Sequence, residues 1–109
     1  MTKDELKTWL LDTISEGGYS FKEISEYVAR HGVNIDDLSS ALRSIFDARF
    51  IDVELRQAND DCVSLDAIEG GQCLANMSLI IAEESDSRSA HYLKITSDGR
   101  AALDEMEIN

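Results

Sequence analysis

Three helix starts lie in the first half of the chain, and they constrain the fold more than any other feature. Each start pairs a capping residue with an acidic residue three positions later: Thr2 with Glu5, Ser20 with Glu23, and the weaker pair Asn34 with Asp37. The cap oxygen accepts a hydrogen bond from a free backbone amide, and in a full capping box the acidic side chain returns one. The pattern therefore predicts three helices before Arg49.

Apolar residues recur at helical spacing after each cap, and glycines end the first two helices. Gly17-Gly18 and Gly32 can take the left-handed C-cap conformation at little cost. The apolar positions predict a small three-helix core made of Leu6, Trp9, Leu10, Ile14, Phe21, Ile24, Val28, Leu38, Leu42, Ile45 and Phe46.

The pattern changes to strands after Arg49. Residues 51–56 alternate with period two, as a half-buried strand does, and we expect this strand to pair with residues 92–96 in a small antiparallel sheet. Residues 78–83 and 91–96 are both strand-like, and we expect them to form a hairpin around a turn at 84–90. Residues 97–106 are expected to form a last helix, capped by Thr96 or Ser97. The stretch 57–90 is long enough to hold a further strand or helix around Gly70-Gly71, and the sequence does not decide which.

The order of these elements resembles the winged helix-turn-helix family of bacterial regulators. The most recognisable pieces are the second and third helices, the exit "IFDARFIDV", and "YLKITSDGRAAL" with Thr96 and Gly99 ahead of the last helix. The resemblance covers nearly the whole chain. It implies an α+β winged-helix fold, with a three-helix bundle, a small antiparallel sheet and a C-terminal helix. Residues 1–109 would form a single domain in which residues 57–90 are an enlarged wing.

The resemblance also implies DNA binding through the third helix and the wing. The groove-facing positions would be Ser39, Ser40, Arg43, Ser44 and Asp47, with Arg88 near the wing tip. Serine and arginine side chains at such positions could bind phosphate or a base edge.

Charge argues against DNA as the partner. The chain has 22 acidic and 10 basic residues and a net charge of −12, which repels phosphate backbones and anionic lipid surfaces. The acidic positions expected on the third helix and in the wing turn are Asp36, Asp37, Asp47, Glu83, Glu84 and Asp86. We expect this acidic surface to bind a basic protein partner.

The expected function is that of a non-enzymatic, acidic winged-helix regulatory protein, one form of which is a nucleic-acid-mimicking inhibitor. The alternative is a DNA-binding transcriptional regulator, and a homodimer is left open.

The chain has no GxSxG, no HExxH and no glycine-rich phosphate loop, so no catalytic residues are expected. Cys62 and Cys73 stand outside any CxxC motif, and neither a metal nor a cofactor is expected. The absence of a long apolar run predicts a cytoplasmic protein.

Overall fold

The computed structural model describes residues 2–57, 59, 61–84 and 89–108, and only the backbone of 106–108. Its elements in chain order are α1 (Lys3–Ser15), β1 (Tyr19–Ser20), α2 (Phe21–Ala29), α3 (Ile35–Asp47), β2 (Ile51–Arg56), β3 (Cys62–Ser64), α4 (Ala67–Ala75), α5 (Met77–Glu84), β4 (Ala90–Ile95) and α6 (Ser97–Ile108). The architecture of these residues is α+β, with six helices and one four-stranded antiparallel sheet.

All three caps expected from the sequence are present. The amide-to-oxygen distances are 3.1 Å from Glu5 to Thr2, 3.1 Å from Glu23 to Ser20 and 2.9 Å from Asp37 to Asn34. Ser20 and Glu23 form a full capping box, because the Glu23 carboxylate also accepts a hydrogen bond from the Ser20 amide at 3.1 Å. The first helix begins after Thr2, and α2 and α3 begin directly after their caps.

The sheet has the strand order β1-β4-β2-β3. Strands β2 and β4 are antiparallel over their full lengths, from Ile51 opposite Ile95 to Arg56 opposite Ala90. The predicted pairing of the strand after the third helix with the strand before the last helix is therefore confirmed. Strand β3 extends the sheet beyond β2, with Leu55 opposite Val63.

The expected hairpin between residues 78–83 and 91–96 is wrong. Residues 78–83 belong to α5, in which Met77 is buried and Ile80 and Ile81 are half-buried against the core. Strand β4 is instead paired with β2 over its full length and, on its other side, with β1 at Tyr92 and Leu93. The apolar run instead packs as a helix against α2, α3 and α4.

The stretch between β2 and β4 holds β3, α4 and α5. Gly70 and Gly71 lie within α4, which begins after Asp66, whose side chain accepts a hydrogen bond from the Glu69 amide at 2.8 Å. Gly70 lies directly against the ring of Phe46 in α3. A Cβ atom at Gly70 would lie 2.5 Å from Phe46 Cζ, so glycine permits this close approach of α4 to α3.

One hydrophobic cluster joins the helices to the inner face of the sheet. Its fully buried members include Leu10, Phe21, Leu42, Val53, Leu74, Met77 and Leu93. Because two of these come from α4 and α5, the stretch between β2 and β4 contributes to the same core. None of the helices in the described ranges is both long enough and apolar enough to cross a lipid bilayer.

Thr96 joins the last helix to the connection between α3 and β2. Its hydroxyl donates to the Arg49 carbonyl at 2.7 Å and accepts from the Gly99 amide at 3.0 Å, and its amide donates to the Phe50 carbonyl at 3.0 Å. Thr96 is therefore the cap of α6, one of the two caps expected. Arg49, with a φ of 66°, turns the chain from α3 into β2.

Candidate functional site

The exposed face of α3 is the site that the sequence indicates first. Leu38, Leu42 and Ile45 are buried on the side of α3 that packs on the core. The opposite side is exposed and carries Asp36, Asp37, Ser40, Arg43, Ser44 and Asp47, which we call the α3 face. Asp36 and Asp37 lie in the first turn, where carboxylates favour the positive end of the helix dipole.

The α3 face carries three carboxylates and one guanidinium. Within the described residues, the ion pairs involve Glu54 and Glu84, and none involves α3. The charges of the α3 face are therefore directed to solvent. The side chains of the α3 face therefore carry more negative than positive charge, and Lys3 and Lys7 of α1 border the face on one side.

Ser39 does not lie on the α3 face, in contrast to the sequence expectation. It is half-buried, and its hydroxyl donates to the Leu74 carbonyl of α4. Helix α4 packs along this flank of α3, where the Ser39 hydroxyl binds the Leu74 carbonyl and Gly70 lies against the Phe46 ring. The two helices form a shallow groove of about 400 Å³ lined by Asp36, Ser39, Ser40, Arg43, Ser44, Asp47 and Ala75.

The structure places two of the acidic residues expected in a wing turn, Glu83 and Glu84, in a helix instead. Glu83 and Glu84 form the end of α5, and Glu83 is exposed. Glu84 is half-buried and accepts hydrogen bonds from the backbone amide and the Nδ1 atom of His91. It is therefore engaged within the protein and is not a free carboxylate for a partner. Asp86 and Arg88 lie outside the described residues.

His91, the partner of Glu84, contacts residues of two helices. It lies on the central strand β4, is half-buried, and stacks on Phe21 with ring centroids 5.4 Å apart. Phe21 belongs to α2, which is distant in sequence, and Glu84 ends α5, which directly precedes β4.

A second cavity borders the other side of the α3 face. It measures about 430 Å³ and lies between the start of α1 and α3. Helix α1 contributes Lys3 and Lys7 to its lining, and α3 contributes Asp37, Ser40 and Ser44. These lysines could not be identified from the sequence, because only the packing of α1 against α3 brings them to this position.

Glu54 is the centre of a polar network on the outer face of the sheet. It is 7% exposed, and its carboxylate lies 3.3 Å from Arg56 Nε and 3.7 Å from Lys94 Nζ. A hydrogen bond from the Cys62 thiol, aided by both cations, lowers the pKa of Glu54. The same hydrogen bond raises the pKa of Cys62, which keeps this exposed thiol protonated. The thiolate is the reactive form of cysteine, so the raised pKa makes Cys62 a weaker nucleophile. The network links residues of β2, β3 and β4.

Within the part of the chain that the structure describes, no group of three or more His, Cys, Asp or Glu residues could hold a metal ion. Comparison of the chain with models of protein families, with curated proteins and with solved structures found no match.

Proposed function

We propose that this protein is a non-enzymatic, acidic regulatory protein of winged-helix type that binds a basic protein partner through the α3 face. The observation that carries the proposal is the charge of this face: Asp36, Asp37 and Asp47 are exposed without ion pairs in the described part of the chain, and Arg43 is the only cation among them. Complementary charge guides association and excludes partners of the wrong sign.

The order of elements supports the winged-helix part of the proposal. Three helices precede the antiparallel pair of β2 and β4, and α6 follows β4 after Thr96. Residues 57–90 would then be the enlarged wing. In this protein the wing region includes α4, which packs on the helix that would otherwise be free to enter a DNA groove.

Two features of the α3 face oppose DNA as the partner. Phosphate contacts supply most of the non-specific affinity for DNA and need a basic surface. A helix in the major groove also needs space on both flanks, because the groove is only about 12 Å wide. Helix α4 occupies one flank of α3, where it binds Ser39. An acidic face of this kind could occupy the nucleic-acid site of a basic partner, which is inhibition by mimicry.

DNA binding remains a second candidate because of one observation. Lys3 and Lys7 line the cavity that borders Ser40 and Ser44, and Arg43 is exposed on the same helix. Together these residues would form a small basic site beside α3.

Affinity capture from native lysate, with and without nuclease, separates the two functions. We expect a basic protein to be recovered in both samples. Asp36→Asn, Asp37→Asn and Asp47→Asn together should abolish its capture. The matched control neutralises three exposed acids away from the α3 face, Glu16, Glu26 and Asp61, and should leave capture intact. Equal losses from both triple variants would mean that total charge, and not the α3 face, determines binding.

Fluorescence anisotropy with genomic DNA fragments provides the opposing test. We expect weak binding even at low salt, where electrostatic attraction is strongest. Tight, sequence-selective binding that Arg43→Ala destroys would replace the proposed function with that of a transcription regulator.

A further inference from the structure

An open groove lies on the far side of α1, between α1 and α6. It measures about 520 Å³ and is lined by Asp4, Glu5, Thr8, Trp9, Asp12 and Leu103. The apolar part of the lining comes from Trp9, which is half-buried, and Leu103, which is 6% exposed. We call this feature the Trp9 groove. It is separate from the α3 face, with which it shares no residue.

The charged lining of the Trp9 groove has one sign only. Asp4, Glu5 and Asp12 are exposed, and in the described ranges no ion pair joins them to a cation. The lysines of α1 are directed elsewhere, since Lys3 and Lys7 line the cavity beside α3. Three carboxylates therefore surround an apolar surface without a compensating cation in the lining.

Trp9 is held in place by other rings. It stacks on Tyr27 of α2, with centroids 5.0 Å apart and an angle of 28° between the planes, and the ring of His31 lies 5.7 Å away. Tyr27 remains 40% exposed. A fixed, partly exposed tryptophan offers a large contact area at little entropic cost, and Trp and Tyr are enriched at interface hot spots. An aromatic face also attracts cations, most strongly when the ring is that of tryptophan.

We propose that the Trp9 groove binds a segment of a protein partner that presents lysine or arginine next to apolar side chains. The aliphatic stem of such a residue would pack on Trp9 and Leu103, and its cation would be placed among Asp4, Glu5 and Asp12. Long cationic side chains commonly divide their surface in this way between apolar and charged surroundings.

Charge complementarity favours a basic protein segment over a second copy of the chain or a nucleic acid as the ligand of the Trp9 groove. A second copy of the chain carries the same net charge of −12, and nucleic acid carries the same sign as the groove. The inference rests on the proposed function in that the partner is a basic protein, and it adds to the α3 face a second contact on a different surface.

The test compares two triple variants that change the charge equally. The groove variant is Asp4→Asn with Glu5→Gln and Asp12→Asn, and the α3 variant is Asp36→Asn with Asp37→Asn and Asp47→Asn. Each removes three negative charges, and each removes two of them from the first turn of a helix. The effects on the overall field and on the helix dipoles are therefore matched.

The probe is a fluorescein-labelled synthetic peptide of alternating arginine and leucine, followed by anisotropy. We expect the groove variant to raise the Kd about tenfold and the α3 variant to raise it less than about threefold. A peptide of alternating glutamate and leucine should not bind. The emission of Trp9, the single tryptophan of the chain, should change on titration with unlabelled peptide and saturate at the same Kd.

A further substitution tests the aromatic contribution without removing a charge. Trp9→Leu keeps an apolar residue but loses the indole, and should weaken peptide binding severalfold; circular dichroism verifies the fold. Tyr27→Leu, at an exposed position, should weaken it less.

Several results would overturn the assignment. If the α3 variant loses as much affinity as the groove variant or more, the groove is not the anchoring site, although a basic partner for the α3 face stands. Absence of wild-type binding to the arginine-leucine peptide would refute the proposal for the Trp9 groove. The capture experiment would then test the proposed function independently. A concentration-dependent dimer in gel filtration that Trp9→Leu disrupts would assign the groove to a second copy of the chain.

Discussion

Replacement of Gly99 with alanine tests how α6 is attached to the rest of the protein. Gly99 packs directly on the backbone of the connection between α3 and β2. A Cβ atom at this position would lie 2.1 Å from the Phe50 carbonyl oxygen and 2.8 Å from Ile95 Cγ1. Because the nearest atom belongs to the backbone, a rotamer change cannot relieve the clash. The start of α6 must move outward by roughly 1 Å.

That movement disturbs the hydrogen bonds that hold this corner together. The Phe50 carbonyl accepts from the Thr96 amide at 3.0 Å, and the Thr96 hydroxyl donates to the Arg49 carbonyl at 2.7 Å. Overpacking costs about 1–3 kcal/mol, and each weakened hydrogen bond about 0.5–1.5 kcal/mol. The higher helix propensity of alanine offsets up to about 1 kcal/mol of this loss of stability. We therefore expect Gly99→Ala to lower the free energy of unfolding by about 2–4 kcal/mol.

Urea denaturation followed by tryptophan emission and by circular dichroism measures this loss. With an m-value of about 2 kcal/mol per molar urea, the midpoint should fall by about 1–2 M. Gly17→Ala is the matched control, because a Cβ atom there meets nothing within 4 Å, and it should change stability by less than about 0.5 kcal/mol. A Gly99→Ala protein as stable as the wild type, or equal losses for both variants, would refute the reasoning.

The core and the polar network of the sheet yield three further tests. Leu42 is fully buried, so Leu42→Ala should cost about 2–5 kcal/mol in urea denaturation, whereas Ser40→Ala on the exposed side should cost less than about 0.5 kcal/mol. Because the native pKa of Glu54 is lowered, its carboxylate stabilises the protein above the ordinary pKa of 4.5, and this stabilisation disappears as the pH falls through the native pKa. Glu54→Gln should therefore be less stable than wild type at pH 7, with a difference that shrinks below pH 4.5; a constant difference would contradict the assignment. The raised pKa of Cys62 predicts slow alkylation by iodoacetamide at pH 8 despite exposure, and Glu54→Gln should accelerate it.

The helix starts could be predicted because their chemistry is local. The hydroxyl or amide side chains of Thr2, Ser20 and Asn34 need only an amide three residues later, and the structure has each of these contacts. The strands β2 and β4 could also be predicted, since alternating apolar residues mark strands that are buried on one face.

Helix α5 could not be predicted because its environment is set by distant elements. Leu79, Ile80 and Ile81 are consecutive apolar residues, and a short apolar run does not distinguish a strand from a helix. Leu79 is 60% exposed, while Ile80 and Ile81 are half-buried, so the three apolar residues do not form one apolar face that the sequence could reveal.

The exposure of the α3 positions could be predicted only in part, again because distant elements contribute. Helical spacing placed Ser40, Arg43 and Asp47 on the exposed side of α3, where they lie. Ser39 is at the margin of that side, and its burial depends on the Leu74 carbonyl of α4. No local pattern in the sequence indicates that α4 packs against this flank.

The strands β2 and β4 meet at Arg56 and Ala90, so the chain leaves the sheet and returns to it at neighbouring points. This arrangement has a consequence for the kinetics of folding. Closing the loop of residues 57–89 costs about 2.5 kcal/mol more in chain entropy than closing a two-residue turn, because this cost grows with the logarithm of loop length. The cost falls if α4 and α5 first dock on α3 and bring the two ends together. Substitutions at the contact between Gly70 and Phe46 should then slow folding as well as accelerate unfolding.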